Sequence, residues 1–215
     1  MFRFILLLAA AVVAANASPI TVSSYSMPNG GIGTFIYQDT PYSNCPASSC
    51  TTTGAALSGG TGKLTDGIVP ALQWTAGNPE GWVGWNNVQT NGANPLVTFF
   101  FSGVQTVNTV TFWYDDQIVA PPGNVGPPGS VSINGVNYTG IPQNTSGIQS
   151  FSITNLNQTG SSMTVQVFQD SANPWIMIGE VSFDSSNTPE PSTWALFASG
   201  LIFVALRGLR LRCLR

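Results

Sequence analysis

Residues 95–114, PLVTFFFSGVQTVNTVTFWY, decide the fold class of this 215-residue chain. Apolar and polar residues alternate through the second half of this stretch, which is the two-residue repeat of a β-strand and differs from the helical repeat. Phe112 and Tyr114 fall on one face and Trp113 on the other. The turn signal Ser102-Gly103 divides the stretch, so we expect a strand on either side of it.

Similar short strands recur between residues 18 and 188, separated by turn signals such as Asn134-Gly135. The expected strands are 18–26, 33–38, 95–101, 104–114, 130–133, 136–138, 148–153, 163–168 and 175–183. Regularly spaced strands of this composition indicate an all-β, antiparallel β-sandwich. The proline-rich stretch 120–129 has too few strands on either side to separate two cores, so we expect one domain over residues 18–188.

The charged residues are divided between the ends and the middle of the chain. Residues 18–188 contain one cation, Lys63, against eight acidic residues, which gives this region a net charge of −7. Binding to nucleic acid requires clustered basic residues that replace phosphate counterions, so the middle of the chain excludes a nucleic-acid partner. The chain has no His, which excludes histidine as a catalytic base or a metal ligand.

Residues 1–17, MFRFILLLAAAVVAANA, have the three parts of a secretory signal peptide. Arg3 supplies the cation, an apolar run follows, and small residues precede Ser18. We therefore expect cleavage after Ala17. The alternative is an N-terminal membrane anchor, but an apolar run of about 12 residues is shorter than the roughly 20 that span a bilayer.

The last residues, 189–215, combine a proline-rich tripeptide, an apolar segment and four arginines. The tripeptide is Pro189, Glu190 and Pro191. A transmembrane helix over about residues 194–211 fits the apolar segment if its arginines snorkel to the headgroups, and the terminal arginines favour a cytoplasmic end. The order, spacing and terminal position of these parts resemble the PEP-CTERM sorting signal of Gram-negative bacteria.

The resemblance implies that a membrane-embedded exosortase recognises residues 189–191, cuts nearby, and releases or transfers the protein to the envelope. It also implies an association with biofilm or exopolysaccharide production. We therefore expect an exported protein, with an inner-membrane-anchored precursor and a product in the cell envelope, at the outer surface or in the extracellular matrix. The alternative is an ordinary C-terminal anchor that stays in place.

Cys45 and Cys50 lie close together in a segment rich in Ser, Thr and Gly. An exported chain folds in an oxidising compartment, where two neighbouring cysteines usually pair. A zinc site needs more ligands than a domain with two cysteines and no His supplies. We expect a disulfide that pins this loop and stabilises the fold by about 2 kcal/mol.

Candidate catalytic residues are sparse in this sequence. It has no Gly-x-Ser-x-Gly motif and no cysteine beside a base, and the carboxyl pair Asp115 and Asp116 is distant from Glu80. A glycosidase needs two carboxyls across a cleft, whereas adjacent aspartates on a strand point to opposite faces and are more typical of a solvated strand end or a cation site. We expect no enzymatic activity, with a glycan-active enzyme as an alternative.

A second resemblance lies in residues 63–85, KLTDGIVPALQWTAGNPEGWVGW, and 175–183, WIMIGEVSF. The Asp66-Gly67 turn before a tryptophan and the acidic Glu180 in an apolar last strand resemble the galactose-binding-like superfamily. This superfamily is the jelly-roll fold of discoidin domains and many carbohydrate-binding modules. It implies a structural calcium held by Asp66, Glu180 and backbone carbonyls, oxygen ligands that suit this cation. The alternative is that Asp66 makes an Asx turn and Glu180 faces solvent.

Trp82 and Trp85 lie in a loop beside Asn86 and Asn87, an arrangement typical of sugar binding. A ring would stack on a pyranose and the amides would bond its hydroxyls. The two tryptophans point to opposite faces of an extended segment, so we expect at most one of them to bind a ligand. Tryptophans in sandwiches more often pack in the core, where we place the following three: Trp74, Trp113 and Trp175.

Together these features predict an exosortase-processed envelope protein with one galactose-binding-like sandwich. The predicted function is non-catalytic binding or organisation of extracellular polysaccharide in the biofilm matrix. A structural surface-coat protein without a specific ligand is the second hypothesis.

Overall fold

The regular structure of this chain consists almost entirely of β-strands. A computed structural model describes residues 17–75, 81–89, 94–117, 125–143, 146–170 and 173–185. The predicted signal peptide, apart from Ala17, and the predicted C-terminal helix lie outside these residues. Among the described residues, no helix is long and apolar enough to cross a membrane.

The strands form two sheets. They are β1 (Ser18–Ile20), β2 (Val22–Pro28), β3 (Ala56–Gly60), β4 (Val83–Asn86), β5 (Leu96–Val107), β6 (Thr109–Asp116), β7 (Pro128–Ile133), β8 (Val136–Tyr138), β9 (Gly147–Ile153), β10 (Gln158–Gln169) and β11 (Trp175–Ser185). The helical elements of the described residues are a single turn, α1 (Ala47–Cys50), and a 3₁₀ turn at Lys63–Thr65. The prediction of an all-β fold is confirmed.

The first sheet has the order β1-β11-β6-β9, with β4 also pairing with β11, and the second has the order β3-β2-β5-β10-β7-β8. The strand pairs from β2 onward are antiparallel. The main core lies between the sheets, where Phe99 of β5 and Phe183 of β11 approach to 4.9 Å between ring centres. The predicted antiparallel sandwich is therefore confirmed.

Ser102-Gly103 does not separate two strands as predicted, and the chain passes from one sheet to the other at Asn108. Strand β5 continues through Gly103, which adopts a φ of 110°, and its register with β10 shifts there. Asn108 lies between β5 and β6, where its N–H donates to the Asp184 carbonyl at 2.8 Å. Its carbonyl accepts the N–H of Leu156 at 3.0 Å. These tertiary hydrogen bonds position a break that no glycine or proline marks.

Two other local predictions have opposite outcomes. Asn134 and Gly135 join β7 to β8 with positive φ angles of 47° and 85°, which confirms the predicted hairpin turn. Residues 33–38 do not form the predicted strand, because they fold back within a loop. There the N–H of Tyr37 donates to the carbonyl of Gly31, and the N–H of Gly84 in β4 donates to the carbonyl of Tyr37, both at 3.0 Å.

Buried polar side chains hold this loop in place. The Asn29 side chain is fully buried and its Nδ2 donates to the Cys50 carbonyl at 2.9 Å, while its Oδ1 accepts the Asp39 N–H, also at 2.9 Å. Asp39 in turn accepts the N–H of Lys63 at 3.0 Å. The Lys63 ammonium is buried beside Asp39 and donates to the Gln38 carbonyl at 2.7 Å. The single cation of residues 18–188 therefore has a structural role.

Cys45 and Cys50 form a disulfide, which confirms the predicted pairing. Their Cα atoms are 5.8 Å apart, and Cys50 is the last residue of α1. Because Asn29 bonds to the Cys50 carbonyl, the disulfide and the polar network constrain the same loop.

Candidate functional site

Trp82 immediately precedes strand β4 and Trp85 lies within it, and both side chains are buried. Their exposed fractions are 0% and 1%, and each indole N–H is bonded, Trp82 to the Leu72 carbonyl at 2.9 Å and Trp85 to the Pro28 carbonyl at 2.8 Å. Neither ring offers a face to a sugar, so the structure contradicts the prediction that one of them stacks on a ligand. They do occupy opposite faces, with Trp85 in the main core and Trp82 in a second cluster.

The neighbouring asparagines differ from each other. Asn86 is 9% exposed and its Oδ1 accepts the Val88 N–H at 2.8 Å, so its side chain shapes the turn after β4. Asn87 is exposed, and its backbone N–H donates to the Pro174 carbonyl at 3.2 Å. Of the four predicted ligand-binding residues, Asn87 is thus the one that solvent reaches.

Asp66 and Glu180, the predicted calcium ligands, do lie together. Glu180 is 6% exposed, its Oε2 accepts the Gly67 N–H at 3.2 Å, and its carboxyl is hydrogen-bonded to that of Asp66. Burial, and next the charge of Asp66, raise the pKa of Glu180 to about 8. Asp66 also makes the Asx turn of the alternative interpretation, accepting the Ile68 N–H at 2.8 Å, but Glu180 does not face solvent.

The donor chemistry of this pair fits a hard cation. Two carboxyls in contact repel each other when both are ionised, and a bound divalent ion would remove that repulsion. The described residues contain no group of three or more His, Cys, Asp or Glu side chains that could hold a metal. Backbone carbonyls and water would therefore have to complete the coordination of a calcium at Asp66 and Glu180.

A second apolar cluster, here called the outer cluster, packs against the face of β11 that points away from the main core. It consists of Tyr37, Trp74, Trp82, Val125, Trp175 and Met177. The Tyr37 ring lies 5.2 Å from that of Trp175 and 6.4 Å from that of Trp74. Trp74 and Trp175 are buried in apolar packing as expected, whereas Trp113 is only half-buried and lies outside both clusters.

Asp115 and Asp116, at the end of β6, are both buried, which contradicts a solvated strand end. Oδ2 of Asp115 accepts the Trp74 N–H at 2.7 Å. Within the described residues, Oδ1 of Asp115 has no hydrogen-bond partner, and neither do the Tyr37 hydroxyl and the Trp74 indole N–H. Burial raises the pKa of Asp115 to about 6, although the Trp74 N–H opposes the shift. Glu80, the third predicted acid, lies outside the described residues.

A groove of about 290 Å³ opens between β8 and β9, the last strands of the two sheets. Its lining residues are Tyr138, Thr139, Gly140, Ile141, Phe151, Ser152, Ile153 and Thr154. Because β8 ends one sheet and β9 ends the other, this groove lies along an edge of the sandwich.

The two aromatic rings of the groove face inward from opposite sheets. Tyr138 pairs with Val131, a fully buried core residue, and is half-buried. Phe151 pairs with Phe112, and their rings stack at 4.9 Å with an interplanar angle of 14°. Two exposed hydroxyl residues, Thr139 and Thr154, lie at the mouth, whereas the Ser152 hydroxyl is bonded to that of Thr111 on the outer face of the sheet at 2.8 Å. Sequence reasoning missed this groove, because the alternation places both rings inward but does not indicate which strands end each sheet.

The structure neighbours of this sandwich include carbohydrate-binding modules, one of them in a chain that also contains an alginate lyase domain. They include the family 32 carbohydrate-binding module of C. perfringens NanJ in complex with galactose, at 13% identity and a TM-score of 0.35, covering 56% of this chain and 88% of that one. A second is the family 32 module of AlyQ in complex with 4,5-unsaturated mannuronic acid, at 18% identity and a TM-score of 0.31, covering 54% and 91%.

A third is the Clostridium perfringens module CpGH89CBM32-5 in complex with GalNAc-beta-1,3-galactose, at 13% identity and a TM-score of 0.33, covering 51% of this chain and 79% of that one. These three neighbours are carbohydrate-binding modules of family 32, which are discoidin-like and galactose-binding-like domains. No curated protein matches the chain.

Residues 187–210 match the model of the PEP-CTERM protein-sorting motif. The match includes Pro189, Glu190 and Pro191, so the predicted sorting signal is confirmed. The chain carries the sorting signal of a secreted exosortase substrate. This signal implies a protein that its C-terminal segment anchors before processing.

Proposed function

We propose that this protein is an envelope or extracellular-matrix component whose sandwich binds or organises exopolysaccharide within a biofilm and catalyses no reaction. The observation that supports the proposal is the sorting motif at residues 187–210, which is typical of an exported exosortase substrate. The sandwich would have the jelly-roll topology of the galactose-binding-like superfamily, joined to a signal peptide over residues 1–17 and a C-terminal transmembrane helix.

The distribution of acidic groups supports a non-catalytic role. Asp115 and Asp116 are buried at the end of β6, and Glu180 is buried against Asp66. None of the eight residues that line the groove carries a carboxyl group. A glycosidase needs two carboxyls on either side of the scissile bond, and these positions do not supply them.

Affinity electrophoresis of residues 18–188 tests polysaccharide binding directly, since Pro19–Ser185 form one compact unit. Native gels would contain neutral galactomannan, neutral dextran or anionic alginate, with an unrelated acidic protein as the mobility reference. We expect retardation in at least one of these gels. Unchanged mobility in all three would refute polysaccharide binding and favour the surface-coat hypothesis.

The sorting step has its own test in a host that contains an exosortase. Replacing the motif acid, Glu190→Ala, should leave an uncleaved precursor in the inner membrane, whereas the wild-type chain is processed. Fractionation and immunoblotting measure the two forms, and equal processing of both chains would contradict the role of residues 189–191.

We further propose that calcium stabilises the domain at Asp66 and Glu180. The contact between these carboxyls, one on the loop after the 3₁₀ turn and one on β11, supports this role. Such an ion would join the beginning of the domain to its last strand and would be structural, since nothing in the proposed function requires it to react.

A further inference from the structure

We propose that the groove between β8 and β9 binds a neutral polysaccharide chain, which inserts a sugar ring between Tyr138 and Phe151. This inference rests on the proposed function and adds the site and the chemical class of the ligand. Its basis is the pairing of two inward-facing aromatic rings, from opposite sheets, across a groove of about 290 Å³.

The lining has the two components that sugar recognition requires. The carbon-bound hydrogens of a pyranose form an apolar face that packs on aromatic rings, and Tyr138 and Phe151 are each half-buried at the groove. The ring hydroxyls need donors and acceptors, which Thr139 and Thr154 supply at the mouth. The groove volume of about 290 Å³ is just below the roughly 300–1,000 Å³ typical of ligand sites, a size that suits one or two sugar rings.

The absence of charged residues from the groove favours a neutral polysaccharide over an anionic one. None of the lining residues is charged, so the groove has no cation that would pair with a uronate or a sulfate. Residues 18–188 carry one cation against eight acidic residues, and Lys63 is buried among backbone carbonyls. An acidic polysaccharide would therefore find no compensating ion pair in the groove.

An extended peptide that adds a strand to β9 is the competing occupant. Strand β9 is only seven residues long, and residues with left-handed backbone conformations flank it. Ser146 precedes it with a φ of 61° and Asn155 follows it with a φ of 60°. These bends shorten the straight edge with which a peptide strand would form its hydrogen bonds. The hydroxyl-lined mouth suits a polyol better.

Affinity electrophoresis of residues 18–188 in galactomannan, dextran and alginate tests the groove with two pairs of variants. Tyr138→Ala removes one ring, whereas Tyr138→Phe keeps it and controls for the loss of the hydroxyl. Thr154→Arg places bulk at the mouth, and Thr106→Arg is its matched control, since both are threonines outside the core whose side chains make one hydrogen bond each.

We expect retardation in a neutral polymer, with about tenfold weaker binding for Tyr138→Ala and Thr154→Arg and near wild-type binding for their controls. Circular dichroism and thermal melting identify the variants that remain folded. If Tyr138→Ala unfolds, Thr154→Arg still tests the groove, because Thr154 lies outside the core. Equal binding of all folded variants would overturn the groove and leave the proposed function intact. Retardation in alginate alone would overturn the neutral ligand class, and retardation in no gel would overturn both proposals. Binding of an extended peptide by a domain that no polysaccharide gel retards would also overturn the inference.

Discussion

Replacing Asp115 by asparagine should remove the stability that the wild-type fold loses at this side chain between acidic and neutral pH. Asp115 is buried beside the outer cluster with one oxygen bonded to the Trp74 N–H at 2.7 Å and, among the described residues, the other without a partner. The Asp115→Asn variant keeps an amide oxygen that accepts the Trp74 N–H, but its side chain carries no charge that burial penalises. The perturbation removes the pH-dependent cost of a buried charge, while the amide NH2 that replaces the unpaired oxygen adds a desolvation cost that is the same at every pH.

The pKa of Asp115 sets the size and the sign of this effect. Burial raises that pKa from 3.8 to about 6, and a shift of about two units corresponds to about 3 kcal/mol. Because the folded state binds the proton more tightly than the unfolded state, protonation contributes stability that is complete below pH 3.8. This contribution is lost as the pH rises through about 6, so the wild-type protein bears the full cost of the buried charge at neutral pH and above.

Urea unfolding of the wild type and the Asp115→Asn variant at about pH 4 and about pH 7.5 measures the effect. The advantage of the variant should be about 2–3 kcal/mol larger at the higher pH than at the lower one, with unchanged m-values. Glu180 and Asp39, whose pKa values burial also raises, are present in both proteins and cancel in the comparison. An advantage that is the same at both pH values would refute this account of Asp115.

Three further predictions concern other parts of the fold. Reducing the Cys45–Cys50 disulfide should lower the free energy of unfolding by about 2 kcal/mol, and a urea midpoint unaffected by reductant would contradict this. Asn29→Ala should cost about 3 kcal/mol or more because it leaves buried backbone groups unpaired, while the control Asn87→Ala at an exposed site should stay within about 0.5 kcal/mol in the same assay. Calcium should raise the melting temperature of the wild type but not that of Glu180→Gln, and calorimetry that shows equal shifts would argue against the proposed site.

Local alternation predicted the strands of this protein better than it predicted their boundaries. The repeat around Phe112 and Tyr114 identified β6, and Asn134-Gly135 identified a hairpin, because both signals depend on neighbouring residues alone. The break at Asn108 depends on Asp184, which is distant in sequence. A turn fixed by such a contact leaves no local signal.

The residues of the candidate site likewise divide into those that a sequence signal predicted and those that depend on distant parts of the chain. Asp66 and Glu180 lie in contact, as the family resemblance implies, because a resemblance carries the long-range information that spacing lacks. The prediction that Trp82 binds a ligand is wrong because its glycine-rich surroundings resemble those of a surface loop, yet Leu72 and the outer cluster cover the side chain. Predicting Tyr138 as a residue of the groove would require the order of strands in each sheet, which composition does not contain.

The burial of Lys63 bears on how long the secreted domain would survive among extracellular proteases. Enzymes of trypsin-like specificity cleave after Lys or Arg, and residues 18–188 contain one such residue. That lysine is 8% exposed, and its ammonium is bonded to the Gln38 carbonyl at 2.7 Å and the Trp82 carbonyl at 3.3 Å. Cleavage would therefore require unfolding of the surrounding loop, so this class of protease would leave the domain intact for as long as it stays folded.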